Sequence, residues 1–406
     1  MAKKQKKFKP REVPTKRQLS KWQRQAKMQR IMIIAAAIFL AGILGYVGYG
    51  YYDDEIKPLH RVVIEVNDTS FTTGYYVKVL KASTKGVEAS QVYYVANLAA
   101  NQIIQDELIR QGANSLGISV EAQEIDKTIK ENKLPNDEIY RDIMATSLLR
   151  EKLLENYFGS QLPDTMEQAH IQVMLVESEE VANSVITEMG GDKDFATLVD
   201  EFSCDPENSG DLGWLPKELM SSLIGDAAFS LEVGKVSRPI YDESVSKSIG
   251  YWLIQVTDKD EEKGVQAKAM LLSSEQEAEE VKAKLDSGED FADLAKNHSQ
   301  HESKDNGGEL GWIKSGDMSD AFDKVAFKLE SNKVSEPVKD ESVQTKGGYW
   351  IVQVVERGER ELDKDARDSL LAKRFNAWFK EREATSTINI DEEMASWAVE
   401  RVTKGM

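Results

Sequence analysis

The 406-residue chain has a single cysteine, Cys204. That excludes an intrachain disulfide framework, a cysteine-rich zinc site and a dithiol redox pair, so stability must come from packed cores. Apolar residues are also limited. Hydrophobic residues make up 41 % and charged residues 30 %, with a mean hydropathy of −0.47, which excludes a polytopic membrane protein. Positive charge is scarce over most of the chain. Residues 1–52 hold twelve Lys/Arg against one acid, Glu12, giving +11, while the remainder carries −29 within a net charge of −18. An acidic body cannot offer the concentrated positive face that phosphate recognition needs, so no nucleic-acid partner is expected. At about 100–200 residues per domain, the length suits two to four domains.

One long apolar run is present. Residues 31–52 read IMIIAAAIFLAGILGYVGYGYY, close to the ~20 residues a helix needs to cross a bilayer. Cationic side chains precede it and Asp53, Asp54 and Glu55 follow, so the positive-inside rule places residues 1–30 in the cytoplasm and the body outside. Tyr46, Tyr49, Tyr51 and Tyr52 cluster at the outer end, where amphipathic rings suit the headgroup region. A cleaved signal peptide is the alternative, but its apolar region would be shorter, about 7–15 residues, and would end in small residues rather than tyrosines. No cysteine follows the run to carry a lipid.

The second half repeats itself. Met174-Leu175 recurs as Met270-Leu271, Ser178-Glu179 as Ser274-Glu275 and Asp194-Phe195 as Asp290-Phe291, 96 positions apart. Beyond a two-residue insertion the offset is 98: Gly213-Trp214 matches Gly311-Trp312, Met220 matches Met318, Val236-Ser237 matches Val334-Ser335, and Gly250-Tyr251-Trp252 matches Gly348-Tyr349-Trp350. Each copy opens with a short apolar run suited to a buried strand. A helix follows, for which Ser274 and Glu277 supply a capping-box pattern, then a Gly-rich turn and a final apolar strand. The copies read as compact α+β domains over 163–259 and 262–358.

The ordered motifs carry a resemblance. Asp194-Phe195, Phe202-Ser203, Asp205-Pro206, the stretch Gly210 to Trp214, Met220, Ala227 to Phe229, Gly234 to Ser237, Pro239 and Gly250-Tyr251 together resemble a parvulin domain, and the second copy matches similarly. Residues 58–162 differ in texture. A short strand-like opening (Val62 to Val66) precedes helical spacing at Val95, Leu98, Ala99, Ile103, Ile104, Leu108 and Ile109, and again at Met144, Leu148, Leu149, Leu153 and Leu154. With Asn67, Thr72 and Leu116 to Val120, this part resembles the N-terminal chaperone segment of SurA/PrsA-type foldases. Within 359–406, Leu362, Ala366, Leu370, Leu371, Phe375, Trp378 and Phe379 form an apolar helical stripe, which by the same resemblance folds back on the N-terminal module. The expected fold class is thus α+β: basic tail (1–30), transmembrane helix (31–52), SurA-N-like helical chaperone module (58–162), two tandem parvulin-like domains, and a C-terminal helix packing back (359–406).

The resemblance implies peptidyl-prolyl cis-trans isomerisation of unfolded or proline-containing polypeptides outside the cytoplasm, with no cofactor or metal. Rotation about Xaa-Pro takes tens of seconds or longer uncatalysed and needs no covalent intermediate. An apolar pocket that binds the ring and excludes water, together with placed polar groups, suffices. Carried over by position, the substrate pockets are Leu212, Met220 and Ile224 with Trp252, and Leu310, Met318 and Phe322 with Trp350; Asp205 is the catalytic candidate. The two histidines usual in the family are replaced, by Val173 and Trp252 in the first copy and Ala269 and Trp350 in the second. His170 faces the opposite side of its strand from Val173, and His301 falls near the position of Asp205. Two further readings stay open: a holdase that binds chains without isomerising them, and a membrane-tethered scaffold for one partner.

Overall fold

The computed structural model describes residues 16–189, 191 and 193–405. The first half of the basic tail therefore lies outside the described residues. In chain order the elements begin with α1 (Lys16–Tyr51), β1 (Val62–Val66), β2 (Thr69–Thr72), α2 (Thr73–Ser83), α3 (Val92–Ser115), α4 (Ala122–Glu131) and α5 (Glu138–Lys152). Next come β3 (Thr165–Val176), α6 (Glu179–Glu188), α7 (Phe195–Phe202), β4 (Asp211–Pro216), α8 (Ser222–Ser230), β5 (Ile240–Lys247) and β6 (Gly250–Asp260). The second copy supplies β7 (Gly264–Leu272), α9 (Glu275–Asp286), α10 (Phe291–His298), β8 (Glu309–Ile313), α11 (Asp320–Ala326), β9 (Val338–Asp340) and β10 (Thr345–Glu361). The chain ends with α12 (Lys364–Thr385), β11 (Ile388–Ile390) and α13 (Glu392–Thr403).

Helix α1 starts well before the apolar run, because the Lys-, Arg- and Gln-rich stretch ahead of it favours helix and contains no breaker. Its apolar side chains are bare: Phe39 and Leu44 are about 70 % exposed. Among the described residues this is the one helix long and apolar enough to cross a membrane.

The chain divides into two compact units, residues up to Phe158 with Phe375 onward, and Gly159–Arg374. In the first, the β1–β2 hairpin turns at Asn67, which adopts φ 53°. Its backbone N–H donates to Thr387 O at 2.8 Å, and its side-chain oxygen accepts from Thr387 N at 2.9 Å. These bonds seat β11 on β1, with Ile64 opposite Ile390, so the far C-terminus becomes the third strand of an N-terminal sheet. Met394, Ala398 and Val402 from α13 complete the core around Ile64, Leu80, Ile104 and Leu108. The expected fold-back also holds at the aromatic stripe: Phe158 meets Phe375 and Trp378 edge-on at 6.3 and 6.0 Å. Gly112 makes room for Trp378, since a Cβ there would lie 2.4 Å from the indole. Leu98 departs from the helical-spacing expectation, standing 50 % exposed.

The second unit contains two four-stranded sheets, ordered β4-β3-β10-β5 and β8-β7-β6-β9. Both have the same plan, yet the closing strands are exchanged. β6, which ends the first repeat, pairs with β7 and β9 of the second; β10, which ends the second repeat, pairs with β3 and β5 of the first. The expected division at 259–262 therefore falls in the β6–β7 hairpin, and neither 163–259 nor 262–358 contains all the strands of one sheet. One body is continuous, Gly250 to Asp340. The other is assembled from Thr165–Lys247 and Thr345–Glu361.

The exchange is reciprocal. Lys247 lies opposite Thr345, its own repeat equivalent at offset 98, so the two crossing segments are related by a local two-fold. Ser237 Oγ accepts from Val352 N at 2.9 Å, and Ser335 Oγ from Ile254 N at 3.0 Å. The crossing is tight at Gly250, where a Cβ would sit 2.7 Å from Leu271 and 2.8 Å from Thr345, and at Gly348, 2.9 Å from Leu175. Helix starts follow the expected chemistry, with Ser178, Asp194, Ser221, Ser274, Asp290 and Ser319 as N-caps. The Glu277 carboxylate, however, reaches Ser273 rather than Ser274.

Strand pairing gives a direct test. Gln172 and Gln353 are cross-strand partners on β3 and β10. A disulfide between Gln172→Cys and Gln353→Cys should form on mild oxidation of the folded chain, whereas Gln172→Cys with Gln255→Cys should stay reduced. Mass mapping of the linked peptides reads the result, and the opposite pattern would return each closing strand to its own repeat.

Candidate functional site

Each sheet carries one apolar cluster at the positions the resemblance assigns to the proline pocket, and the exchange decides which tryptophan joins it. In the first pocket Val173 from β3, Met220, and Ile224 and Ala228 from α8 are buried together, with Ile240 and Trp350 packed against them. In the second, Ala269 from β7 and Phe322 from α11 pack with Trp252, Leu310, Met318 and Val338. Trp252 thus belongs to the second pocket and Trp350 to the first, the reverse of the sequence-based assignment. Leu212 is 44 % exposed and stands outside the first apolar cluster, because the sheet register slips between Ile171 and Gln172 opposite β4. Beside Met220 an open groove of about 580 Å³ runs along Met166, Glu167, Ser221, Gly225 and Phe229.

Polar anchors repeat the symmetry. Trp350 Nε1 donates to Asp242 Oδ2 at 3.1 Å, and Trp252 Nε1 donates to Asp340 Oδ2 at 2.9 Å. Asp340 is buried and also accepts from Ser319 Oγ, Ser342 Oγ at 2.6 Å and Ser342 N at 2.9 Å. Burial alone would raise its pKa, but these bonds outweigh burial and hold the carboxyl below its ordinary value. Asp242 is held low in the same way by Ser244 and Trp350 against the opposing effect of burial.

Asp205 and His301 occupy equivalent places. Cys204 N donates to Leu175 O and Gln300 N to Leu271 O, while Ser203 Oγ and Ser299 Oγ accept from Leu175 N and Leu271 N. The offset is therefore still 96 here, and the two-residue insertion follows His301. Asp205 is exposed and its carboxylate forms no hydrogen bond or ion pair among the described residues. His301 is half-buried, with its ring 5.3 Å from Trp252, which in turn meets Phe322 edge-on at 5.3 Å. Burial pushes the thiol of neighbouring Cys204 up to about 11, away from the thiolate form. His170 lies off the pocket as expected, with Nε2 2.8 Å from Asp211 and its ring beside Trp214.

Comparison with known families agrees with this architecture. A SurA-like N-terminal domain model matches residues 19–172, and PPIC-type PPIase domain models match 161–260 and 253–356. The Chaperone SurA of Methylobacillus flagellatus is 27 % identical over 352 residues, covering 69 % of this chain and 78 % of that protein. The Foldase protein PrsA of Geobacillus kaustophilus is 41 % identical over 107 residues, 26 % of this chain and 36 % of that one. That of Bacillus subtilis is 40 % identical over 133 residues, 30 % and 44 %. The chain carries a SurA-like N-terminal domain and two PPIC-type parvulin domains.

The parvulin pockets differ in what surrounds their apolar walls. Neither receives an imidazole from its first strand, where Val173 and Ala269 are buried and His170 faces away. The second has one at His301, and the sequence signal for it was available: the Ser-x-His of residues 299–301 sits opposite the Ser-x-Asp of 203–205 at a constant offset.

Asp340 ties the exchanged Trp252 to its new sheet, so Asp340→Ala strands the buried indole N–H and leaves the half-buried Ser319 hydroxyl without its acceptor. Denaturant melts should show a loss of about 1–3 kcal/mol. Because the folded pKa of Asp340 is depressed, its contribution is present above the unfolded carboxyl value and lost as pH falls through the folded one. The gap between wild type and variant should therefore close in acid, below about pH 4; a gap that persists unchanged there would contradict the charged anchor.

Proposed function

We propose that the protein is a membrane-anchored, extracytoplasmic foldase, a peptidyl-prolyl cis-trans isomerase of the parvulin type acting on unfolded or translocated polypeptides. One observation carries the reading: in both domains the apolar cradle is closed by a tryptophan held to a carboxylate, Met220 and Ile224 with Trp350, and Met318 and Phe322 with Trp252. A proline ring seated there leaves water, and the preceding amide loses the solvation that favours its planar, polar form. The step breaks no covalent bond and requires no cofactor. Asp205, at the solvent edge of the first domain, is the candidate for a polar contact to the twisting amide. Val173 and Ala269 standing in place of imidazoles favour a second reading, a holdase in which the same cradles bind without turnover.

Protease-coupled isomerisation of a Xaa-Pro peptide by the detergent-solubilised chain separates the two. Met220→Ala and Met318→Ala should each raise KM more than they lower kcat, since a pocket wall contributes to ground and transition states alike, and the double variant should be nearly inactive. Full activity in the double variant would remove proline from these pockets.

Helix α1 is the proposed anchor. With twelve cationic side chains before residue 31 and Asp53 to Glu55 after the span, the body lies outside. A reporter that matures only outside the cytoplasm should be active when fused after Lys57, and a cytoplasm-dependent reporter at the same site should be silent. The reverse pair of results would overturn the orientation.

A further inference from the structure

His301 forms the N-cap of the short helical turn Glu302–Asn306. Its Nδ1 accepts from Ser303 N at 3.2 Å and lies 2.9 Å from Ser303 Oγ. A nitrogen that accepts a backbone N–H carries no proton, so in the neutral ring the proton is on Nε2. Burial lowers the pKa of the ring below the ordinary imidazole value, with Glu302 opposing weakly, and the neutral tautomer is the resting form. Among the described residues Nε2 has no hydrogen-bond partner. The ring thus presents a fixed, unpaired N–H donor beside Trp252 and the apolar wall built by Phe322, Met318 and Leu310.

We propose that His301 is a substrate-contacting residue of the second parvulin domain, its Nε2–H donating to the carbonyl oxygen of the residue that precedes proline. This rests on the isomerase reading above and deepens it. As the amide twists, conjugation is lost and the carbonyl rotates relative to the ring held in the pocket; a donor locked by its other nitrogen can select one orientation of that oxygen without paying to reorganise. The proton stays on Nε2 throughout and no bond forms or breaks. The first domain has an exposed carboxylate, Asp205, at this place and cannot donate. The two domains therefore differ in what they offer that oxygen, a donor in the second and none at this place in the first, and the second domain favours prolines whose preceding carbonyl is free to accept.

The test uses two substitutions that both preserve the cap. His301→Asp keeps an acceptor for Ser303 N and has no donor when ionised, while His301→Asn keeps an acceptor and an N–H. In the full chain carrying Met220→Ala to suppress the first pocket, His301→Asp should lower kcat/KM at least about tenfold, and His301→Asn should stay within about threefold of its parent. Thermal melts of the two should coincide. Equal activity in the Asp variant, or equal loss in both, would overturn the donor role. An inactive Met220→Ala parent beside an active wild-type chain would remove turnover from the second domain and overturn the proposal; if the wild-type chain itself turns over no peptide, the isomerase reading fails separately, and the donor is read by nitrogen-15 NMR of His301. A shifted Nε2–H resonance on adding an Ala-Ala-Pro-Phe peptide supports the contact, and an unmoved one overturns it.

Discussion

The crossing of two chain segments at Lys247 and Thr345 is the constraint on which the catalytic half of this molecule depends. Because each closing strand leaves its own repeat, each pocket takes its tryptophan from the other one, and each tryptophan finds its carboxylate one repeat away. The four bonds that hold the exchange, two from backbone N–H groups to serine hydroxyls and two from indole N–H groups to aspartates, come in equivalent pairs. Neither parvulin body can then be described as a stretch of sequence. The isolated cost of opening either bond is modest, about 1 kcal/mol for a neutral one and more for the aspartate. Their strength lies in cooperation with a strand buried on both faces, where Leu253, Ile254, Ile351 and Val352 are fully enclosed.

Duplication also explains why sequence reading missed the exchange. Tyr251-Trp252-Leu253-Ile254-Gln255-Val256 and Tyr349-Trp350-Ile351-Val352-Gln353-Val354 offer the same residue pattern, Tyr-Trp, two aliphatics, Gln and Val, so either strand satisfies either sheet. Hydrophobic periodicity says that a strand closes the sheet and is silent on which copy provides it. The residues whose place follows from local order were legible: Met220 and Ile224 flank a capped helix start at Ser221, and Phe322 follows another at Ser319. Leu212 was misplaced because a register shift cannot be read from spacing. The two-residue insertion follows His301 within a few residues, so sequence places it only near the Asp205 position, and the paired backbone bonds of Cys204 and Gln300 fix the match.

The N-terminal module repeats the lesson at larger scale. Its helices were visible as apolar spacing, yet its third strand, β11, is a three-residue segment near the end of the chain, too short to register as a strand by pattern. Asn67 supplies the missing specificity, since its left-handed backbone and both hydrogen-bonding faces are used to receive Thr387. The chain is therefore nested. Segments 62–158 and 375–403 enclose the first parvulin body in sequence, and that body's two segments enclose the second. Only the innermost body is continuous. Closing each outer level requires a contact of high sequence separation, the kind that forms late because its loop entropy must be met first.

That nesting bears on how sites lacking the usual histidines would act on proline under the proposed function. The barrier to amide rotation is about 18–20 kcal/mol and originates in resonance, so it responds to anything that penalises the planar, solvated dipole. Proton transfer is not required, and a lost imidazole removes a means of adjustment rather than a reactant. What the chemistry requires is a dry, rigid wall. The structure supplies it by building each wall from residues far apart in sequence: Met220 with Trp350, and Phe322 with Trp252. A side chain held by two separate parts of the chain has little freedom to yield when a ring enters. Rigidity of this kind preserves the difference between ground-state and transition-state binding, and that difference is what accelerates a reaction.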